Sequence, residues 1–234
     1  MNAVGHLSFL ERLDAFRERA CEPALSMLLF VQTVTIFGFV PATAVWPIIP
    51  QGIVAILPLT FSSIFIATSR GKWGIGTGAV SLLLSGVVAV LQCWPNSRVA
   101  VASEDLAAVV TFSLLSIEVF KAVYGPGRFT GHRVRGAVVL YLNIGLLFTF
   151  LYRLIAEFSP SAFAHLPGAD HQAALRAALE YFSFSDLTTL GIGDIVPIQP
   201  MARALAVLEA TMGQLFPATL LAYAVTRAMQ GDEK

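Results

Sequence analysis

Thr188-Thr189-Leu190-Gly191-Ile192-Gly193-Asp194 joins a short apolar, helix-like run to a final stretch of membrane length. The glycines stand two apart, with an apolar residue before each. Such spacing suits an irregular backbone whose dihedrals are unfavourable for most L-residues, which Gly191 and Gly193 adopt at little steric cost. Upstream, Asp170 is a reasonable N-cap for an Ala-rich helix running to about Leu187. That helix is too short to cross a bilayer. The whole segment therefore reads as re-entrant, and non-helical backbone at membrane depth is tolerated only when buried in protein or lining a polar cavity.

The rest of the chain supports a membrane setting. Of 234 residues, 56% are hydrophobic and only 13% charged, and mean hydropathy is +0.72. A water-soluble domain carries about a quarter charged residues, so lipid is the expected solvent. Zero net charge and the lack of a long basic tract argue against nucleic acid as a partner. Cys21 and Cys93 form neither a disulfide framework nor a zinc spacing.

A spanning helix needs roughly 20 mostly apolar residues. Candidates run from about 24 to 45, 53 to 69, 76 to 91, 105 to 124, 136 to 155 and 200 to 229. The expected fold is an all-α membrane protein with six transmembrane helices plus the re-entrant segment. Its parts are an N-terminal amphipathic segment (1–22) on the cytoplasmic surface, a four-helix domain (23–130), and a third unit (131–234). No cleavable signal peptide is expected. With the N-terminus inside, the inner segments hold Arg12, Arg17, Arg19, Arg70, Lys72, Lys121, Arg128, Arg133, Arg135, Arg227 and Lys234. The outer segments hold only Arg98, Arg153, Arg176 and Arg203, the asymmetry of the positive-inside rule. Both termini are then cytoplasmic, and the Thr188–Asp194 segment lies near the outer face.

Order, spacing and flanking topology make the stretch from Tyr181 through Asp194, followed by Ile195-Val196-Pro197 and the last span, resemble the pore module of the tetrameric potassium-channel superfamily, bacterial members in particular. Gly74-Ile75-Gly76 repeats part of the motif but lacks the Thr pair and the preceding helix. The resemblance implies a homotetramer in lipid, in a bacterial inner membrane, with K+ as permeant ion and no other cofactor. Its ion ligands would be the carbonyls of Thr189, Leu190, Gly191 and Ile192 plus the Thr189 hydroxyl, with Gly193 completing the selectivity filter. Thr188 would end the pore helix, Asp194 would brace the filter, and Tyr181 and Phe182 would form an aromatic cuff. Gly213 stands at the inner-helix hinge, and Pro217 can also kink that helix.

Two residues depart from the family pattern. Ile192 replaces the usual Tyr and lacks the hydroxyl that ties the filter to its cuff, which leaves a weakly selective cation channel as the alternative. Asp186 stands where a small hydroxyl residue is usual, and is expected to be hydrogen-bonded behind the filter or protonated. Glu209 falls mid-span, where an ionisable group is expensive. It either adds negative field to the inner cavity or bonds to a pore helix, with Gln214 joining it. Glu118 and Lys121 read as a helix-surface pair.

The fourth candidate carries no basic residue from Asp105 to Phe120, so an arginine-based voltage sensor is not expected. Only a short tail follows Arg227, leaving no room in this sequence for a C-terminal ligand-binding domain. Neither a Gly-x-Ser-x-Gly elbow nor a His-Glu-x-x-His pair surrounds Ser183, Ser185, His165 or His171, so an enzyme is not expected. A transporter would need ionisable clusters in several spans or inverted repeats. A non-conducting regulatory subunit with the same fold is a further reading.

Overall fold

The computed structural model describes residues 25–46, 59, 62–63, 72–91, 98–124, 131–167 and 172–231. The amphipathic segment 1–22, nearly all of the candidate span 53–69, Asp170, His171 and both cysteines lie outside the described residues.

Helix α1 (Leu25–Val45) is interrupted by a π turn at Thr35–Phe39. Its cause lies two residues further on. Pro41 has no N–H, and its ring crowds the carbonyl four residues back, at Phe37. Widening the helix just before it relieves that crowding, and the Val40 N–H reaches the Thr35 carbonyl. The chain continues as α2 (Lys72–Leu91), α3 (Arg98–Tyr124), α4 (Gly131–Phe158), α5 (Gln172–Leu187) and α6 (Pro200–Gly231). Two-residue strands β1 (Phe163–Ala164) and β2 (Val196–Pro197) pair antiparallel, Phe163 opposite Pro197, and pin the loop after α4 to the stretch before α6.

Among the described residues, four helices are long and apolar enough to cross a membrane: Leu25–Val45, Ala100–Tyr124, Arg133–Phe158 and Pro200–Thr226. The apolar part of α2, Gly76–Val88, is shorter. These helices fit an all-α membrane protein. Helix α2 shows the inverted amphipathicity that lipid imposes. Ser81 and Ser85 are buried while Leu82, Leu83, Val87 and Val90 face outward. Ser81 Oγ donates to Thr111 of α3 at 3.1 Å and lies 2.7 Å from Ser63 Oγ.

Two cores follow. One joins α1, α3 and α4 through Leu25, Leu28, Phe112, Leu115, Val119, Ala137 and Leu140. At its centre Asn143 Nδ2 donates to the Phe112 carbonyl at 2.8 Å and to Ser116 Oγ at 2.5 Å, while Gln32 Nε2 donates to Asn143 Oδ1 at 3.3 Å. The other core joins α4, α5 and α6 around Tyr152, Phe163 and Phe182. Their rings meet edge to face at centroid distances of 5.1 to 5.7 Å.

Candidate functional site: a segment suspended from the end of α5

A helix ends with carbonyls that have no partner inside it. The end of α5 uses them to hold the segment that follows. The Thr188 N–H bonds to the Phe184 carbonyl at 3.1 Å, and the Thr189 N–H to that of Asp186 at 2.9 Å. Leu190 and Gly191 both donate to the Ser185 carbonyl, at 2.8 and 3.3 Å, and Ile192 donates to Ser185 Oγ at 3.4 Å. Thr188 Oγ1 adds a bond to the Phe184 carbonyl at 2.6 Å.

This pattern has a directional consequence. No peptide bond here is cis, and in a trans unit the N–H and C=O point oppositely. The amides of 189–192 aim back at α5, so the carbonyls of Thr188, Thr189, Leu190 and Gly191 aim away from it. The sign of φ alternates accordingly: +57° at Thr189, +54° at Gly191 and +81° at Gly193, with no positive value at Leu190 or Ile192. Glycine tolerates this, but a β-branched Thr at positive φ is strained by roughly 1–3 kcal/mol. Two bonds hold Thr189 there: its own N–H to Asp186, and Gln214 Nε2, which donates to Thr189 Oγ1 at 3.0 Å. The expected partnership of Gln214 with Glu209 is therefore replaced by a direct tie from α6 to the segment.

Between α5 and the segment lies a cavity of about 230 Å³, lined by Phe182, Ser185, Asp186, Ile192, Asp194 and neighbouring backbone. Asp186 is half-buried there, and burial pushes its carboxyl up to about 6. Asp194 Oδ1 accepts the Ile195 N–H at 3.0 Å. Burial raises the Tyr181 phenol, and a hydrogen bond to Asp194 and that group's charge raise it further. Phe182 reaches the cavity from the aromatic cluster around Tyr152. Ile192 is 54% exposed, and its side chain has no polar atom to anchor it.

Helix α6 crosses the end of α5 at Gly213. A Cβ there would overlap the Leu187 carbonyl oxygen, so only glycine permits the approach. Pro217 lies in the same helix, and its missing N–H leaves the Gly213 carbonyl without a helix partner. Gly213 and Pro217 thus meet at one carbonyl of the helix. Four residues before it, Glu209 is fully buried. Tyr152 Oη donates to Glu209 Oε2 at 2.6 Å, and Ser183 Oγ lies 2.5 Å from Oε1 and 2.7 Å from the Gly145 carbonyl. The carboxyl ties α6 to α4 and α5, not to open space.

Ser185, which anchors three consecutive amides, was not singled out by the sequence for this role. Neither was a buried ionic cluster at the N-terminal end of α3. Arg153 of α4 lies 2.9 Å from Asp105 Oδ1 and 3.5 Å from Glu104 Oε1, and Arg176 of α5 pairs with Glu104. Neither Asp105 oxygen has an aligned donor among the described residues. The signal was present: all four residues fall at one predicted membrane face, two of them acidic and two basic. Lys121 Nζ donates to Glu118 Oε1 at 3.0 Å, as their spacing predicts.

Residues 177–230 match a family model described as an ion channel. The match begins in α5, contains the suspended segment and ends in α6, and it supports an ion-channel function for the chain. No curated protein and no solved structure matches the chain.

Proposed function

We propose that the chain is one subunit of a homotetrameric potassium channel, with Thr189–Gly193 as its filter. The observation that carries this reading is the alternating backbone of that segment. Its amides are committed to α5, which leaves a row of carbonyls free to replace the hydration shell of a cation. The C-terminal end of α5 points its partial negative charge toward the same place. Every residue from Thr188 to Asp194 is exposed in the single chain. Polar backbone exposed at membrane depth calls for further subunits, and a ring of copies around one axis closes the structure. The K+ ligands are the carbonyls of Thr189, Leu190 and Gly191 from that row, completed as the family resemblance implies by the Ile192 carbonyl and the Thr189 hydroxyl. The Gly213–Pro217 joint allows the inner helix to bend.

The second reading, a weakly selective cation channel, rests on Ile192. Among the described residues its hydrogen bond to α5 is from its N–H to Ser185 Oγ at 3.4 Å, at the long limit of such bonds. Ion uptake by liposomes containing the purified protein tests both readings. Potassium uptake that exceeds sodium uptake at least tenfold supports the first, and equal uptake supports the second. Gly191→Val, which forces a β-branched residue to positive φ, should abolish uptake in either case.

A further inference from the structure

The π turn of α1 faces α5 across a second cavity of about 380 Å³. Ile36, Phe37, Val40 and Pro41 form one wall, and Ala177, Glu180 and Phe184 form much of the other. Thr188 and Leu190 of the suspended segment reach its inner end. Phe37 and Phe184 meet across it at 6.3 Å between ring centroids. The lining is mostly apolar, with hydroxyl-bearing Tyr181, Ser185 and Thr188 and one carboxyl, that of Glu180, whose side chain is nearly buried at 6% exposure.

Glu180 forms no hydrogen bond or ion pair among the described residues. Arg176, one turn earlier on α5, engages Glu104 instead. A buried carboxylate without a partner is costly, and burial pushes this one up to about 8 despite the pull of Arg176 and Arg153. The α1 wall contributes no titratable group. Such a pocket repels an anion and gives a neutral apolar molecule nothing to recognise. π turns also occur often at functional sites.

We propose that this cavity binds a small hydrophobic amine, whose ammonium pairs with the Glu180 carboxylate while its apolar body packs against Ile36, Phe37, Val40 and Phe184. The bound molecule touches Thr188 and Leu190, so its presence bears directly on the segment that carries the carbonyl row. Binding itself does not depend on whether that segment conducts, and the site can be tested without any current.

The test is calorimetric titration of the purified full-length protein, in phosphatidylcholine bilayers, with adamantylamine, adamantanol and adamantane carboxylate. The expected result is saturable binding of the amine, at least tenfold weaker binding of the alcohol, and none of the acid. Glu180→Gln should weaken the amine at least tenfold and bring it level with the alcohol. Ala177→Leu, which fills the cavity from the α5 side and keeps the charge, should weaken amine and alcohol alike and serves where Glu180→Gln does not assemble. Competition by added phosphatidylethanolamine would place the natural amine on a lipid headgroup, and lack of competition would leave a free amine; either keeps the recognition by Glu180. Equal binding of amine and alcohol, or an amine affinity unchanged in both variants, overturns the proposal.

Discussion

The α1–α4 bundle and the α5–α6 unit obey the same solvent rule in opposite ways. In the bundle, apolar side chains cover both lipid-facing and buried surfaces, and specificity comes from a few buried polar groups. Ser63, Ser81 and Thr111 link three stretches of chain, and Asn143 links α1, α3 and α4. Among the described residues, the backbone–backbone bonds there run within the helices. The α5–α6 unit contains backbone that no helix satisfies. It is held by helix-end carbonyls, by Ser185, and by the Gln214 and Glu209 ties from α6. Polar groups position helices in one region and hold a strained segment in the other. Only in the second does losing one alter what the backbone presents.

Substitutions in the two regions should therefore differ in kind. The largest effect is expected at Gly213→Ala, because the added Cβ collides with backbone that cannot move aside. Overpacking of this type costs about 1–3 kcal/mol or more, and the variant should lose ion uptake and melt well below the parent. Glu209→Leu comes next. It leaves the Tyr152 hydroxyl buried without its acceptor, at roughly 1–3 kcal/mol, while Ser183 keeps the Gly145 carbonyl. Uptake should fall with stability, and Glu209→Gln, which keeps an acceptor, should recover part of both.

Asn143→Leu is the counterpart in the bundle. It should lower stability by about 0.6–2 kcal/mol, the worth of interhelical hydrogen bonds in membranes, yet leave the ratio of potassium to sodium uptake unchanged. A changed ratio would break the contrast between the regions. The smallest effect is expected at Asp186. Its folded pKa is raised from 3.8 to about 6 by burial, so its contribution is fully present below pH 3.8 and is lost as pH rises through about 6. Asp186→Asn should match the parent in melting temperature in acid and exceed it at pH 8, and any change in conduction between those limits should vanish in the variant.

The two regions were also unequally legible from sequence. The suspended segment was readable because Gly191 and Gly193 mark the very positions that need positive φ. The end of α5 was readable because Leu187 is followed by two Thr residues and a glycine pattern incompatible with helix. Thr189 gave no such mark, since its left-handed φ is imposed by bonds from Asp186 and Gln214 that lie outside its local sequence. Glu209 announced itself as an expensive group, but its partners are distant in the chain and emerge only when α4, α5 and α6 pack. Helix α3 starts at Arg98, earlier than its apolar run suggests, because Glu104 and Asp105 are matched by Arg153 and Arg176 from other helices. The π turn was unreadable by periodicity alone, although Pro41 was its visible cause.

The central claim is that backbone carbonyls from Thr189 to Ile192 select potassium. The most direct measurement is the reversal potential of the purified protein in a planar bilayer, with potassium on one side and sodium on the other. The account predicts a potential close to the potassium equilibrium value, lost when Gly191 is replaced by Val. A clear current reversing near zero would contradict it and make the pore a non-selective path for cations.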